Sequence, residues 1–199
     1  VQKQAPAAEP FDFSNTQFSV LGLRAAANAG ANVPRTTWSR ALELYEKLRI
    51  PKDGGWPYHG RTASAQAEPV SSGTMTAASL YGWLICQSSL NPRAALEKLR
   101  EDEAYKGAFG FLEKRWSVTG NGNAFYYLYS LERLCMAAKA AKVGAHDWYA
   151  EGAEWLLARQ AVDGTWTGSY STEVDTCLAL LFLKRAFVST PTIETEGAK

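Results

Sequence analysis

Apolar residues along this chain return every three or four positions, and segments of that kind are separated by Gly, Pro, Asn and Ser clusters. A period near 3.6 with breakers between segments predicts amphipathic helices. "FSNTQFSVLGLRAAANAG" predicts a helix capped by Ser14 or Asn15, apolar through Leu23 and ending at Gly30. "PRTTWSRALELYEKLRIP" predicts a second, starting at Thr36 or Thr37, with Trp38, Leu42, Tyr45 and Leu48 at helical spacing and Pro51 beyond its end. The pair of signals returns. "SGTMTAASLYGWLICQSS" leads to "NPRAALEKLREDEAYKGAFGFLEKRW", where Asn91-Pro92 reads as a cap and first-turn proline. "GNAFYYLYSLERLCMAAKAA" leads to "AHDWYAEGAEWLLARQ", and "DTCLALLFLKRA" begins a last unit with no second helix. No useful stretch of strand alternation appears, so the chain is expected to be all-α.

The units are similar to one another. With Thr16, Thr76, Tyr126 and Thr176 as equivalent starts, Trp56, Trp116 and Trp166 each fall 40 residues later. Tyr45, Tyr105 and Trp155 share the phase of 29, and Leu21, Tyr81, Leu131 and Leu181 the phase of five. Trp38 and Trp148 also agree, with Lys98 as the exception. Tryptophan makes up only seven of 199 residues, so three coincidences at one phase indicate a repeated helical hairpin of about 50 residues. The first junction is ten residues longer than the others; its surplus lies in "PYHGRTASAQAEPVSSG", a loop insertion. The expected organisation is a loose leader at 1–11, a repeat domain at 12–187, and a flexible tail at 188–199. Within the domain, hairpins are expected at about 12–56, 72–116 and 123–166, with a final inner helix at 175–187.

In "EWLLARQAVDGTW" a helix ending at Gln160 is followed by Asp163-Gly164 and then Trp166. Gly164 permits a positive φ, which lets Trp166 fold back over the helix end and cover the Gln160 amide. The amide can in turn bond groups left open at the helix terminus. Such a staple would tie each outer helix to the next inner one.

"GAEWLLARQAVDGTW" resembles the QW motif of the squalene-hopene cyclase and protein prenyltransferase superfamily. "LELYEKLRIPKDGGW" is a weaker copy with Ile50 in the place of Gln160, and "GAFGFLEKRW" keeps only Trp116. "SNTQFSVLGLRAA", "HDWYAEGAEWLLARQ" and "DTCLALLFLKRA" are similar to uncharacterised bacterial proteins of that kind. The resemblance implies an α/α toroid, with inner helices ringed by outer ones around an apolar cavity. A closed ring in the family uses six hairpins, whereas about three and a half are counted here. Unpaired edges are therefore expected, met by the rest of a longer parent chain or by self-association.

Composition narrows the function classes. With 46% apolar and 21% charged residues the chain suits one globular core. Its 21 basic and 20 acidic residues are scattered, which gives no footprint for nucleic acid. No apolar run approaches the roughly 20 residues of a membrane span. A soluble protein is expected, in the bacterial cytoplasm or exported after loss of a signal peptide. Cys86, Cys135 and Cys177 each lie in an apolar helical stretch and read as small buried thiols.

Chemistry must come from the site. In the cyclase branch of the resembled family a protonated Asp in a D-x-D-D-T-A segment protonates an alkene. In "STEVDTC", Asp175 keeps the last carboxylate, but Thr172 and Val174 replace the other two and Glu173 is out of register, so triterpene cyclisation is not expected. Asp175 remains a catalytic candidate beside its simpler reading as an N-cap. In the prenyltransferase branch Asp-x-Cys and a later His hold zinc. Asp175 and Cys177 match the first part and are candidate metal ligands, but His59 and His146 do not align with the third. No cofactor is expected, with zinc as the alternative. His146-Asp147 could form a dyad, although Asp147 as a helix cap is the simpler reading, and Asn123 in "TGNGNAF" reads as a cap after a turn. Tyr126, Tyr127 and Tyr129 open the third inner helix and Trp83 sits on the second. These four are the candidate ligand-binding residues beside a core-packing role, with Tyr126 and Tyr129 sharing a face. Two functions follow. One is a toroid segment, non-catalytic in itself, that binds an apolar small molecule or a peptide on its concave face. The other is part of a terpenoid cyclase or zinc-dependent prenyltransferase completed by repeats outside this chain.

Overall fold

A computed structural model describes residues 12–59, 69–120 and 122–185. The expected leader at 1–11 and tail at 188–199 lie outside the described residues, as does the middle of the loop insertion. The described residues form helices α1 (Phe13–Asn28), α2 (Arg35–Leu48), α3 (Gly73–Leu90), α4 (Leu96–Arg100), α5 (Glu103–Lys114), α6 (Ala124–Ala137), α7 (Trp148–Leu157) and α8 (Thr172–Lys184). Their only β features are isolated bridges, so the protein is all-α.

Local chemistry sets most helix ends, at places that differ in detail from those predicted. Asp12, rather than Ser14 or Asn15, caps α1 by accepting from the Asn15 amide at 2.7 Å. Pro34 precedes α2 with no side-chain cap. Asn91-Pro92 does not begin a helix: Asn91 closes α3, and the second outer segment is split into α4 and α5. The split falls where Asp102 accepts from the Ala104 amide at 2.7 Å and so starts a new helix. Ser171 caps α8, whose first residue, Thr172, lies three residues before the predicted start, and Asp147 caps α7 as the simpler reading required.

Helices α1, α3, α6 and α8 pack side by side in sequence order, with α2 and α5 against α3 and α7 against α6 and α8. Contacts between the inner helices' N-terminal ends run through the junctions. The Phe13 amide donates to the Tyr58 carbonyl, Ser72 N–H to the Trp56 carbonyl, and the Asn123 amide to the Tyr170 hydroxyl. At the opposite ends, Arg24 of α1 donates to Ser89 of α3. The four inner helices therefore run in the same direction. Helix α3 is buried along nearly its whole length, which is why it is apolar all round rather than on one face.

Two junctions repeat almost atom for atom. Trp56 N–H bonds the Thr76 hydroxyl at 3.1 Å and Trp166 N–H the Thr176 hydroxyl at 3.0 Å. Their indole nitrogens donate to outer-helix carbonyls, Trp56 to Tyr45 at 2.7 Å and Trp166 to Leu156 at 2.8 Å. Each of these last-turn carbonyls also accepts a backbone amide, Tyr45 from Arg49 and Leu156 from Arg159, so each buried indole takes the remaining lone pair while filling the core. Tyr45 thus corresponds to Leu156, one residue from the predicted equivalence with Trp155. Each loop turns on a glycine with positive φ, Gly54 at +83° and Gly164 at +85°, beside an aspartate that accepts from the residue two positions on.

Trp116 departs from the pattern. It is half-buried, its indole nitrogen donates to Glu151 at 2.7 Å, and its ring stacks on His146 at 4.7 Å. The preceding "EKR" contains no Asp-Gly turn, and Tyr126 has no hydroxyl on Cβ to meet the backbone of Trp116, so the junction takes another course. The indole of Trp166 does not cover Gln160 either: Gln160 is exposed and donates to the Gly164 carbonyl at 3.0 Å, bracing the turn from outside.

Candidate ligand-binding face on the inner helices

Helices α1 and α6 meet beside α3 through side chains far apart in sequence. The Tyr126 hydroxyl donates to the Gln17 side-chain oxygen at 2.6 Å, and the Ser130 hydroxyl donates to the same atom at 3.3 Å. Gln17 is completely buried, and its nitrogen has no partner among the described residues. Burial disfavours the charged phenolate, pushing the Tyr126 hydroxyl well above its ordinary range and keeping it a donor. Beside this bond, Phe18 of α1 stacks on Tyr126 at 5.8 Å and on Tyr129 at 6.1 Å. Phe18 is 49% exposed, so it forms the outer surface of a three-ring patch whose inner members are buried.

Charge lies one turn further along α6. The Arg133 guanidinium sits over the Tyr129 ring at 5.4 Å, and its Nε is 2.8 Å from Glu132 Oε2. That pair is not aligned as a hydrogen bond, and neither Glu132 oxygen has a hydrogen-bond partner among the described residues. Burial raises the Glu132 carboxyl to about 7, against the opposing pull of Arg133 and Arg185. Tyr81 of α3, near the same charges, is pushed up to about 12, chiefly by burial.

Helix α8 packs against α6 and α7. Its buried residues Asp175, Leu178, Ala179 and Phe182 point into the protein, whereas Val174, Cys177 and Leu181 are exposed at i, i+3 and i+7. Cys177 is therefore not packed among apolar neighbours as the sequence suggested. Only Cys86 and Cys135 are buried thiols, and burial raises both. Asp175 is buried but does not cap its own helix. Its Oδ2 accepts from the Gly168 amide at 2.7 Å and the Tyr170 amide at 3.1 Å, while Oδ1 has no partner among the described residues. A capping role is excluded by position, since the helix begins before it; the carboxylate instead holds the loop that follows Trp166.

Of the residues singled out in the sequence, Tyr126 and Tyr129 come together. Tyr127 turns away, its ring lying against Gly120 and near Gly73 at the N-terminus of α3. Trp83 is fully buried in the core with its indole nitrogen unpartnered among the described residues. Asp175 and Cys177 meet no third ligand, and the described residues contain no group of three or more His, Cys, Asp or Glu able to hold a metal. His146 forms no dyad with Asp147; its Nδ1 lies 3.1 Å from Glu151. Sequence reasoning missed Phe18, Gln17, Glu132 and Arg133. For Gln17, Glu132 and Arg133 the signal was present as polar and charged residues at otherwise apolar phases of α1 and α6, whereas Phe18 carried none.

No described helix is long and apolar enough to cross a membrane. No family model, no curated protein and no solved structure matches the chain.

Proposed function

We propose that this chain is a helical-repeat binding module of the squalene-cyclase and prenyltransferase-like kind, non-catalytic in itself, which takes an apolar ligand or peptide on the face formed by α1, α6 and α8. The observation that carries the reading is the exposed Phe18 ring stacked on Tyr126 and Tyr129. Aromatic area held rigid by a buried hydrogen bond loses little entropy when a ligand covers it. The exposed stripe Val174, Cys177 and Leu181 supplies further apolar surface on an inner helix. Asp175, the residue with the strongest catalytic resemblance, uses its Oδ2 to hold the loop backbone at Gly168 and Tyr170, a structural task that favours binding over proton transfer.

Titration with farnesol as an apolar probe, and with an amphipathic peptide carrying Leu at i, i+3 and i+7, tests the reading. Saturable binding of one of them is expected, weakened about fivefold or more by Phe18→Ser or Leu181→Ser without loss of helicity. Absence of saturable binding for both, or binding indifferent to these substitutions, refutes it.

A further inference from the structure

Helix α8 leaves one side unpacked. The inner helix α3 packs against α1, α2, α5 and α6, whereas α8 packs chiefly against α6 and α7. Its buried residues Asp175, Leu178, Ala179 and Phe182 gather on one side. At about 100° per residue, the side directly opposite carries Glu173, Cys177, Leu180 and Lys184, all of them exposed. Their alternating four- and three-residue steps are those of a helix-pairing seam. Leu180 is 52% exposed, and the exposed Val174 and Leu181 flank the ridge. Glu173 and Lys184, at its two ends, form no ion pair among the described residues. A hydrogen bond with Ser171 holds the Glu173 carboxyl below its ordinary range, so this end of the ridge is negative at neutral pH.

We propose that this ridge is the seat of a two-fold homodimer, in which α8 of one copy packs antiparallel on α8 of a second. Charge complementarity of the ridge with itself decides both the partner and the direction. In an antiparallel pair centred midway between positions 173 and 184, Glu173 of each copy faces Lys184 of the other, and Cys177 and Leu180 form the apolar middle. A parallel pair would set Glu173 against Glu173 and Lys184 against Lys184, which is repulsive at both ends. Antiparallel helix dipoles also attract, whereas parallel ones repel. The exposed apolar surface thereby leaves water without stranding a buried charge. A single helix of 13 residues buries less than a standard-size interface, so the dimer is weak and reversible. This pairing is independent of the ligand reading, whose central residue, Phe18, lies on α1.

Sedimentation velocity of the full chain over a concentration series tests this. Reversible dimerisation is expected, and Leu180→Glu, a change at an exposed position, should weaken it about tenfold or more with helicity unchanged. Glu173→Lys and Lys184→Glu should each weaken self-association severalfold. An equimolar mixture of those two variants should associate again, because each copy then meets the opposite charge at both ends. The Cys177 residues of the two copies are set about 4.5 Å apart along the helix axis by this register. A short bis-maleimide should therefore cross-link the dimer through Cys177, since Cys86 and Cys135 are buried. A monomer at every concentration overturns the proposal, as does a Cys177 thiol closed to a mono-maleimide in the monomer, the result expected if residues 186–199 cover the ridge. A dimer that survives Leu180→Glu, or a mixture of the charge variants that associates no better than either alone, overturns the antiparallel α8 pairing.

Discussion

Tyr126 and Gln17 lie 109 positions apart in the chain and 2.6 Å apart in the fold, the hydroxyl of one donating to the amide oxygen of the other in a fully buried contact. This bond joins α1 to α6 directly and sets Tyr126 beneath Phe18. Tyr126→Phe removes the donor but leaves the Gln17 oxygen buried with only the longer bond from Ser130. The expected loss is about 1–3 kcal/mol in urea unfolding. The double variant Tyr126→Phe with Gln17→Met should lose less than the sum of the single changes, because it buries no orphaned amide. Full additivity would show that the two side chains do not act as a pair.

The three junction tryptophans should not be equally costly to remove. Trp56→Ala and Trp166→Ala each delete a fully buried indole and its hydrogen bond to an outer-helix carbonyl, for an expected loss of roughly 3–5 kcal/mol. Trp116 is half-buried and donates to a surface carboxylate, so its truncation should cost about 1–2 kcal/mol. Equal losses at all three, read from denaturant midpoints with unchanged slopes, would restore the equivalence that the sequence spacing suggested.

Gly54 and Gly164 hold nearly the same backbone angle but differ in surroundings. A Cβ on Gly54 would collide with the Gly107 backbone, whereas at Gly164 the nearest atom is the Gln160 side-chain nitrogen at 3.8 Å. Gly164→Ala therefore carries the cost of positive φ alone, about 1 kcal/mol. Gly54→Ala adds displacement of α5 and should cost about 3 kcal/mol or more. Comparable thermal shifts in the two variants would contradict this difference.

Glu132 makes stability depend on pH in an unusual direction. Its folded-state value of about 7 lies above the ordinary carboxylate value of 4.5, so the folded protein holds a proton that the unfolded chain releases in that window. Stability from this group is fully present below about pH 4.5 and is lost as pH rises through about 7. The loss is on the order of 3 kcal/mol by pH 8. Glu132→Gln should flatten the unfolding free energy between pH 5 and pH 7 relative to the unmodified protein. An unchanged slope would show that Glu132 titrates as an ordinary exposed acid.

What could be read without coordinates was local. Helical periodicity, the apolar character of α3 all round, the Asp-Gly-x-Trp turns and the capping role of Asp147 each depend on residues within one or two turns of one another. Their physical causes are the α-helical period, the conformational freedom of Gly54 and Gly164, and the short reach of Asp side chains to nearby amides. The common phase of Trp56 and Trp166 also fell within reach, because a repeated loop needs the same residues at the same spacing.

The chain's partners in space were decided only by the tertiary structure. The indole of Trp56 meets the Tyr45 carbonyl and that of Trp166 the Leu156 carbonyl, so Tyr45 is equivalent to Leu156 rather than to Trp155, because the indole selects a carbonyl by distance, not by sequence phase. Asp175 serves the loop before it since Ser171 already starts the helix, and Cys177 faces outward because α8 turns Phe182 and Leu178 inward. Trp116 finds Glu151 and His146 once its junction lacks the glycine turn. Phe18 looks like any core residue in the sequence; it is exposed because Gln17, its neighbour on α1, is the one that turns to meet Tyr126. Helical propensity acts over a few residues, whereas the face a helix buries depends on neighbours contributed by distant parts of the chain.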